Sequence, residues 1–99
     1  MEPIREIIGS NRKTKEIVTI SAERILKNPQ LFNDLMTIFK TGSDVVKGTC
    51  ADIMKHVTAE KPEIAEPFID EMVGFINYKA PRVKWGVSES IGNIAKKVP

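Results

Sequence analysis

Three eight-residue stretches decide the fold: Val18-Thr19-Ile20-Ser21-Ala22-Glu23-Arg24-Ile25, Cys50-Ala51-Asp52-Ile53-Met54-Lys55-His56-Val57 and Val87-Ser88-Glu89-Ser90-Ile91-Gly92-Asn93-Ile94. In each, the first, fifth and eighth residues are apolar, as Val18, Ala22 and Ile25 are in the first copy. Positions i, i+4 and i+7 share one face of an α-helix. The same buried stripe is therefore written three times. Outside it the copies diverge: Ile20 aligns with Asp52 and Glu89. No alternation of apolar and polar residues runs far enough to make a strand.

Working outward, prolines recur behind each stripe at Pro29, Pro62 and Pro99, which are 33 and 37 residues apart. Self-similarity at such a period marks stacked repeats. The four extra residues amount to about one helical turn, which leaves the buried face unchanged. Ahead of each stripe lies a tight turn: Gly9-Ser10-Asn11, Gly42-Ser43 and Lys79-Ala80-Pro81. Asn11 and Ser43 are expected to cap the helices that follow, glycine to supply a left-handed residue after a helix, and Pro81 to open one. Helices are predicted at about residues 3–9, 12–27, 29–40, 44–59, 62–78 and 81–97, with Pro67 kinking the fifth because it lacks an N–H and clashes with the preceding turn. The four glycines inside these helices (Gly48, Gly74, Gly86, Gly92) predict close helix–helix approach.

The stretch Pro81-Arg82-Val83-Lys84-Trp85-Gly86-Val87-Ser88-Glu89-Ser90-Ile91-Gly92-Asn93-Ile94-Ala95 resembles the second helix of a HEAT repeat. That family favours a valine followed by a basic residue, then small residues, an aliphatic–glycine pair and a closing isoleucine. Pro62-Glu63-Ile64-Ala65-Glu66-Pro67 resembles the first helix, in which an internal proline often makes a bend. The resemblance implies an all-α fold, a short right-handed α-α superhelix of about three stacked antiparallel hairpins, the first incomplete. Residues 1–99 then form one armadillo-like domain, with repeat boundaries near 29 and 62. It departs from the family in its turns, where an aspartate often pairs in a ladder with the repeated basic residue.

Composition narrows the function. A 99-residue chain with 41% apolar and 28% charged residues can build a core and is too apolar for disorder. A net charge of +2 permits a phosphate partner without requiring one. Glu2 and Glu6 stand where a signal peptide needs basic residues, and the apolar run 17–22 is far shorter than the ~20 residues of a membrane span. With one cysteine and no sign of an oxidising compartment, a cytoplasmic protein without membrane contact is expected.

Chemistry is sparse. Cys50 and His56 are the only thiol and imidazole. Six residues apart, they point about 120° from each other on a helix, and two groups fall short of the three or four ligands that zinc needs. Cys50 is predicted to be a small buried hydrophobe and His56 a surface residue. The segment 42–49 superficially resembles a phosphate loop, but its Lys47 and Gly48 are in the wrong order and no strand precedes it. Glu63, Glu66 and Asp70, at i, i+3 and i+7, predict an acidic edge complementing a helix dipole. No catalytic, cofactor-binding or metal-binding residue is assigned.

What remains is a surface. Lys15, Lys47 and Lys84 align just ahead of the three stripes, with Lys55 two turns beyond Lys47. Stacked helices would set the aligned three in a row with a spacing of about 8–10 Å. Trp85 points away from its stripe, where it either serves as a binding hot spot, at which tryptophan is enriched, or packs against its own hairpin or a following repeat. The expectation is a non-catalytic scaffold for protein–protein interaction, gripping an acidic protein through Lys15, Lys47, Lys55, Lys84 and Trp85 on a concave face of second helices. A second reading is nucleic-acid binding through the same lysines; a third is an accessory subunit of an enzyme. The last helix looks like an internal repeat, so the open end is expected to continue into a longer solenoid or to self-associate.

Overall fold

The stripes sit on three of six α-helices in the computed structural model, which describes residues 2–97. The helices are α1 (Ile4–Ile8), α2 (Thr14–Lys27), α3 (Leu31–Thr41), α4 (Asp44–Glu60), α5 (Ile69–Val73) and α6 (Pro81–Lys97), with 3-10 turns at Pro62–Ile64 and Glu66–Phe68. No strand occurs among the described residues. Pro99, the third of the spaced prolines, lies outside them. Helices α2, α4 and α6 carry the three stripes, and α4 lies between the other two, packing on both. Helix α3 packs on α1 and α4, while the 62–73 segment lies against α4 and α6. The shortest dimension is 20 Å, about the thickness of two helices.

The stripe residues are buried as expected. Val18, Ala22, Ile25, Cys50, Met54, Val57, Val87 and Ile94 are each no more than 5% exposed, and Ile91 is half-buried against the same core. Phe32, Leu35, Met36 and Phe39 of α3 join them in the same buried cluster. The rings of Phe32 and Phe68 lie 5.3 Å apart and those of Phe39 and Phe75 4.5 Å, in tilted geometries that favour aromatic pairs. Lys40 reaches Glu71 at 2.6 Å across the same junction.

The fifth predicted helix, 62–78, is broken further than a kink. Pro62 and Pro67 cannot donate a backbone hydrogen bond. The chain therefore closes i→i+3 turns, with Ala65 N–H to Pro62 O at 3.1 Å and Phe68 N–H to Ala65 O at 2.9 Å. Only five residues become α-helical before Gly74, and three further i→i+3 bonds lead to Tyr78. The tyrosine hydroxyl donates to Asp44 at 2.5 Å, tying this irregular stretch to the start of α4.

Two capping expectations are corrected. Helix α2 starts at Thr14 with Lys13 as its N-cap, so Asn11 caps nothing. Ser10 shapes that turn instead, donating to Ile7 O at 2.7 Å. Gly42 is not left-handed; its φ is −81°. Glycine is needed there for space, since a Cβ would meet Val46 Cγ1 at 2.6 Å and Ile38 O at 2.9 Å. Ser43 does cap α4, accepting from Val46 N–H at 3.3 Å.

Of the four helical glycines, Gly86 makes the closest approach. A Cβ on Gly86 would lie 2.7 Å from Ala51 Cβ and 3.1 Å from its carbonyl oxygen, so backbone meets backbone where α4 and α6 cross. Gly48 lets the Arg82 side chain lie across α4, with Arg82 Cδ 3.3 Å from the space a Cβ would fill. Gly92 and Gly74 have no such role: nothing stands within 4 Å at Gly92, and only the neighbouring Glu71 carbonyl approaches Gly74. Two alanine substitutions on α6 are predicted to act with opposite signs. Gly86→Ala must push α4 and α6 apart and should lower stability by about 1–2 kcal/mol. Gly92→Ala should raise it by up to about 1 kcal/mol through helix propensity. Urea unfolding of both variants checks this, and equal signs would refute the account of the seam.

Candidate functional site

The stripe periodicity that buries one side of α2, α4 and α6 leaves their opposite sides exposed, and the candidate residues divide there. Lys15 and Lys84 are exposed, Lys55 is half-buried, and none has an ion-pair partner among the described residues. Trp85 is 69% exposed, so it does not pack into its own hairpin. Its position follows from helix geometry: Val83, Gly86, Val87 and Ser90 turn inward, which puts residue 85 on the far side.

Lys47 departs from the expected row. It is only 8% exposed, and its Nζ donates to Gly42 O at 2.7 Å and to Lys40 O at 3.3 Å. It closes the unsatisfied carbonyl end of α3 and the turn after it. A lysine committed to those carbonyls cannot reach a partner, so Lys47 is removed from the contact set. The cause lies in the turn: Gly42-Ser43 brings α3's last carbonyls beside α4, within reach of a side chain one turn into the helix.

Lys15 and Lys55 instead meet across a shallow groove of about 320 Å³ between α2 and α4, whose rim also carries Thr14, Thr19, Asp52 and His56. Val18, 5% exposed, forms its floor. Asp52 is engaged by Arg82 of α6 at 2.7 Å. Arg82 was missed as a site residue in the sequence. Its pairing depends on Gly48 leaving room and on the α4–α6 spacing, neither of which is visible from composition.

The other chemical expectations resolve plainly. Glu63, Glu66 and Asp70 do not share a helix edge; they fall in the two 3-10 turns and α5, each in the first turn of its own element. No cluster of metal-ligating side chains occurs among the described residues. His56 is exposed and Cys50 is buried on the other side of α4. Among the described residues no helix is long and apolar enough to cross a membrane. The chain matches no protein-family model, no functionally described protein and no solved structure.

Burial pushes the Cys50 thiol up from its ordinary 9.0 to about 12, because a thiolate inside the apolar stripe would lose its hydration; the Lys47 charge offsets this only in part. An acid whose folded pKa is raised binds more protons in the folded than in the unfolded chain between those two values. Its contribution is therefore intact below pH 9 and is lost as pH rises toward 12. Unfolding curves between pH 9 and 11 should show a stability loss approaching about 1.4 kcal/mol per pH unit from this group. Cys50→Ala should lack that component, and native protein should resist thiol reagents at pH 8. Lys47→Met keeps the aliphatic stem but strands the α3 carbonyls, and should cost about 1–3 kcal/mol in thermal or urea unfolding.

Proposed function

We propose that this chain is a non-catalytic interaction module, a short HEAT-like solenoid whose α2–α4–α6 face docks an acidic protein partner. The observation that carries the reading is Trp85, a residue 69% exposed on the second helix of the last hairpin. An indole left in water costs free energy of solvation that burial against a partner recovers, at little loss of side-chain freedom. Lys15, Lys55 and Lys84 supply exposed positive charge on the same three helices, which steers an acidic surface toward the aromatic contact. Arg82, already paired with Asp52, rims the site.

Support for the solenoid comes from the ordered neighbour packing of α2, α4 and α6, each with its stripe buried. Support for a non-catalytic role comes from the separation of the one thiol, which is buried, from the one imidazole, which is exposed. Against a nucleic-acid backbone stand Glu16 and Glu89, exposed on α2 and α6, whose charge opposes a continuous run of phosphates.

Trp85→Ala should weaken capture of the protein partner at least 10-fold without lowering thermal stability, since the ring makes little contact within the chain. Affinity capture with wild-type and variant protein, read by mass spectrometry and followed by titration of the captured partner, measures this. Equal capture by Trp85→Ala, or steeply salt-dependent retention on random duplex DNA as the only binding seen, would overturn the reading.

A further inference from the structure

The α2–α4 groove has a chemistry that the exposed tryptophan does not explain. Two lysines from different helices, Lys15 and Lys55, line one depression of about 320 Å³ together with His56, the only histidine. Thr14 lines it as well. The Thr19 hydroxyl proton is already used on Lys15 O at 3.0 Å, leaving its oxygen only as an acceptor. The one carboxylate in the groove, Asp52, pairs with Arg82 at 2.7 Å, whose charge offsets its own, and makes no ion pair with either lysine. The local balance is therefore positive although the whole chain carries only +2.

We propose that this groove seats the phosphomonoester of a phosphorylated side chain on the protein partner. A phosphomonoester carries a charge of about −1.5 to −2 at pH 7 and three strong acceptor oxygens. That matches two ammonium groups and additional donors better than a carboxylate does, with its single charge and two oxygens. A phosphodiester chain fits less well. It carries one charge per phosphate and continues in both directions, while α2 also exposes Glu16 and Glu23, whose charges oppose further phosphates. The open groove with an apolar Val18 floor accepts a side chain entering from above, with its methylene on the floor and its phosphate at the lysines. This rests on the partner being a protein, and makes the groove a second contact beside Trp85, switched by phosphorylation.

The test uses the full chain and N-acetyl-O-phosphoserine amide at constant ionic strength, read by NMR. His56 and Trp85 are the only residues of their kinds, so each reports one part of the surface without ambiguity. The His56 ring signals should shift saturably, while N-acetylserine amide and N-acetylglutamate amide leave them in place. Lys15→Gln and Lys55→Gln should each weaken binding at least 5-fold, and Lys84→Gln, on α6, less than 2-fold. Circular dichroism melts establish that the variants fold.

Absence of a saturable shift would overturn the proposal, as would equal weakening by Lys84→Gln, which would mean diffuse charge attraction. Binding of inorganic phosphate as tightly as the phosphoserine derivative would assign the groove to free phosphate, and tighter binding of a short RNA at the same lysines would assign it to nucleic acid; either refutes the side-chain source. Each of these failures leaves Trp85-dependent partner capture intact, so the groove and the docking face can fail separately.

Discussion

Everything in this molecule hangs on the seam between α4 and α6, where Gly86 lies against Ala51 with no room for another carbon. Dispersion attraction falls steeply with distance, so two helices gain most when their backbones approach closely. With no side chain at 86, α6 comes close enough for Val83, Val87 and Ile94 to join α4's core residues in one buried cluster. The same spacing lets Asn93 reach Thr58 at 3.1 Å and Arg82 reach Asp52 at 2.7 Å. Polar contacts at either end of the seam thus follow from an apolar fit at its centre.

Helix α4 bears the consequence of being in the middle. Lys47, Gly48, Thr49, Cys50, Ala51, Ile53, Met54, Val57 and Thr58 are all buried, a wider face than a surface helix buries. Polar members of that set satisfy themselves locally: Thr58 and Thr49 donate back to carbonyls four residues earlier, and Lys47 bonds the end of α3. Helices α2 and α6 have fewer neighbours, and their free sides hold Lys15, Lys84 and Trp85. The turn ahead of α4 thus makes Lys47 structural, while its equivalents Lys15 and Lys84 stay exposed.

The opposite layer is held differently. Two prolines deprive the 62–73 segment of the backbone bonds that sustain a helix, and tilted phenylalanine pairs, the Lys40–Glu71 ion pair and the Tyr78–Asp44 hydrogen bond anchor it instead. The exposed ion pair contributes little by itself. Ring burial carries the attachment, with Phe32 and Phe39 fully enclosed.

The helical class, the three buried stripes, the Ser43 cap and the burial of Cys50 were legible from sequence, because each depends on spacing along one helix or on chemistry within a few residues. The break after Pro62 was legible only as a kink, since the sequence shows where hydrogen bonds are lost but not how many the remaining contacts restore. Tertiary structure alone decided the fate of Lys47, the pairing of Arg82 with Asp52 and the meeting of Lys15 with Lys55 across one groove. The first follows from the turn that joins α3 to α4, the second from the α4–α6 distance that Gly86 and Ala51 set and the space that Gly48 leaves, and the third from how α2 lies against α4. Periodicity reports which way a side chain points, whereas what it meets is determined by the neighbouring helix and how closely that helix can approach.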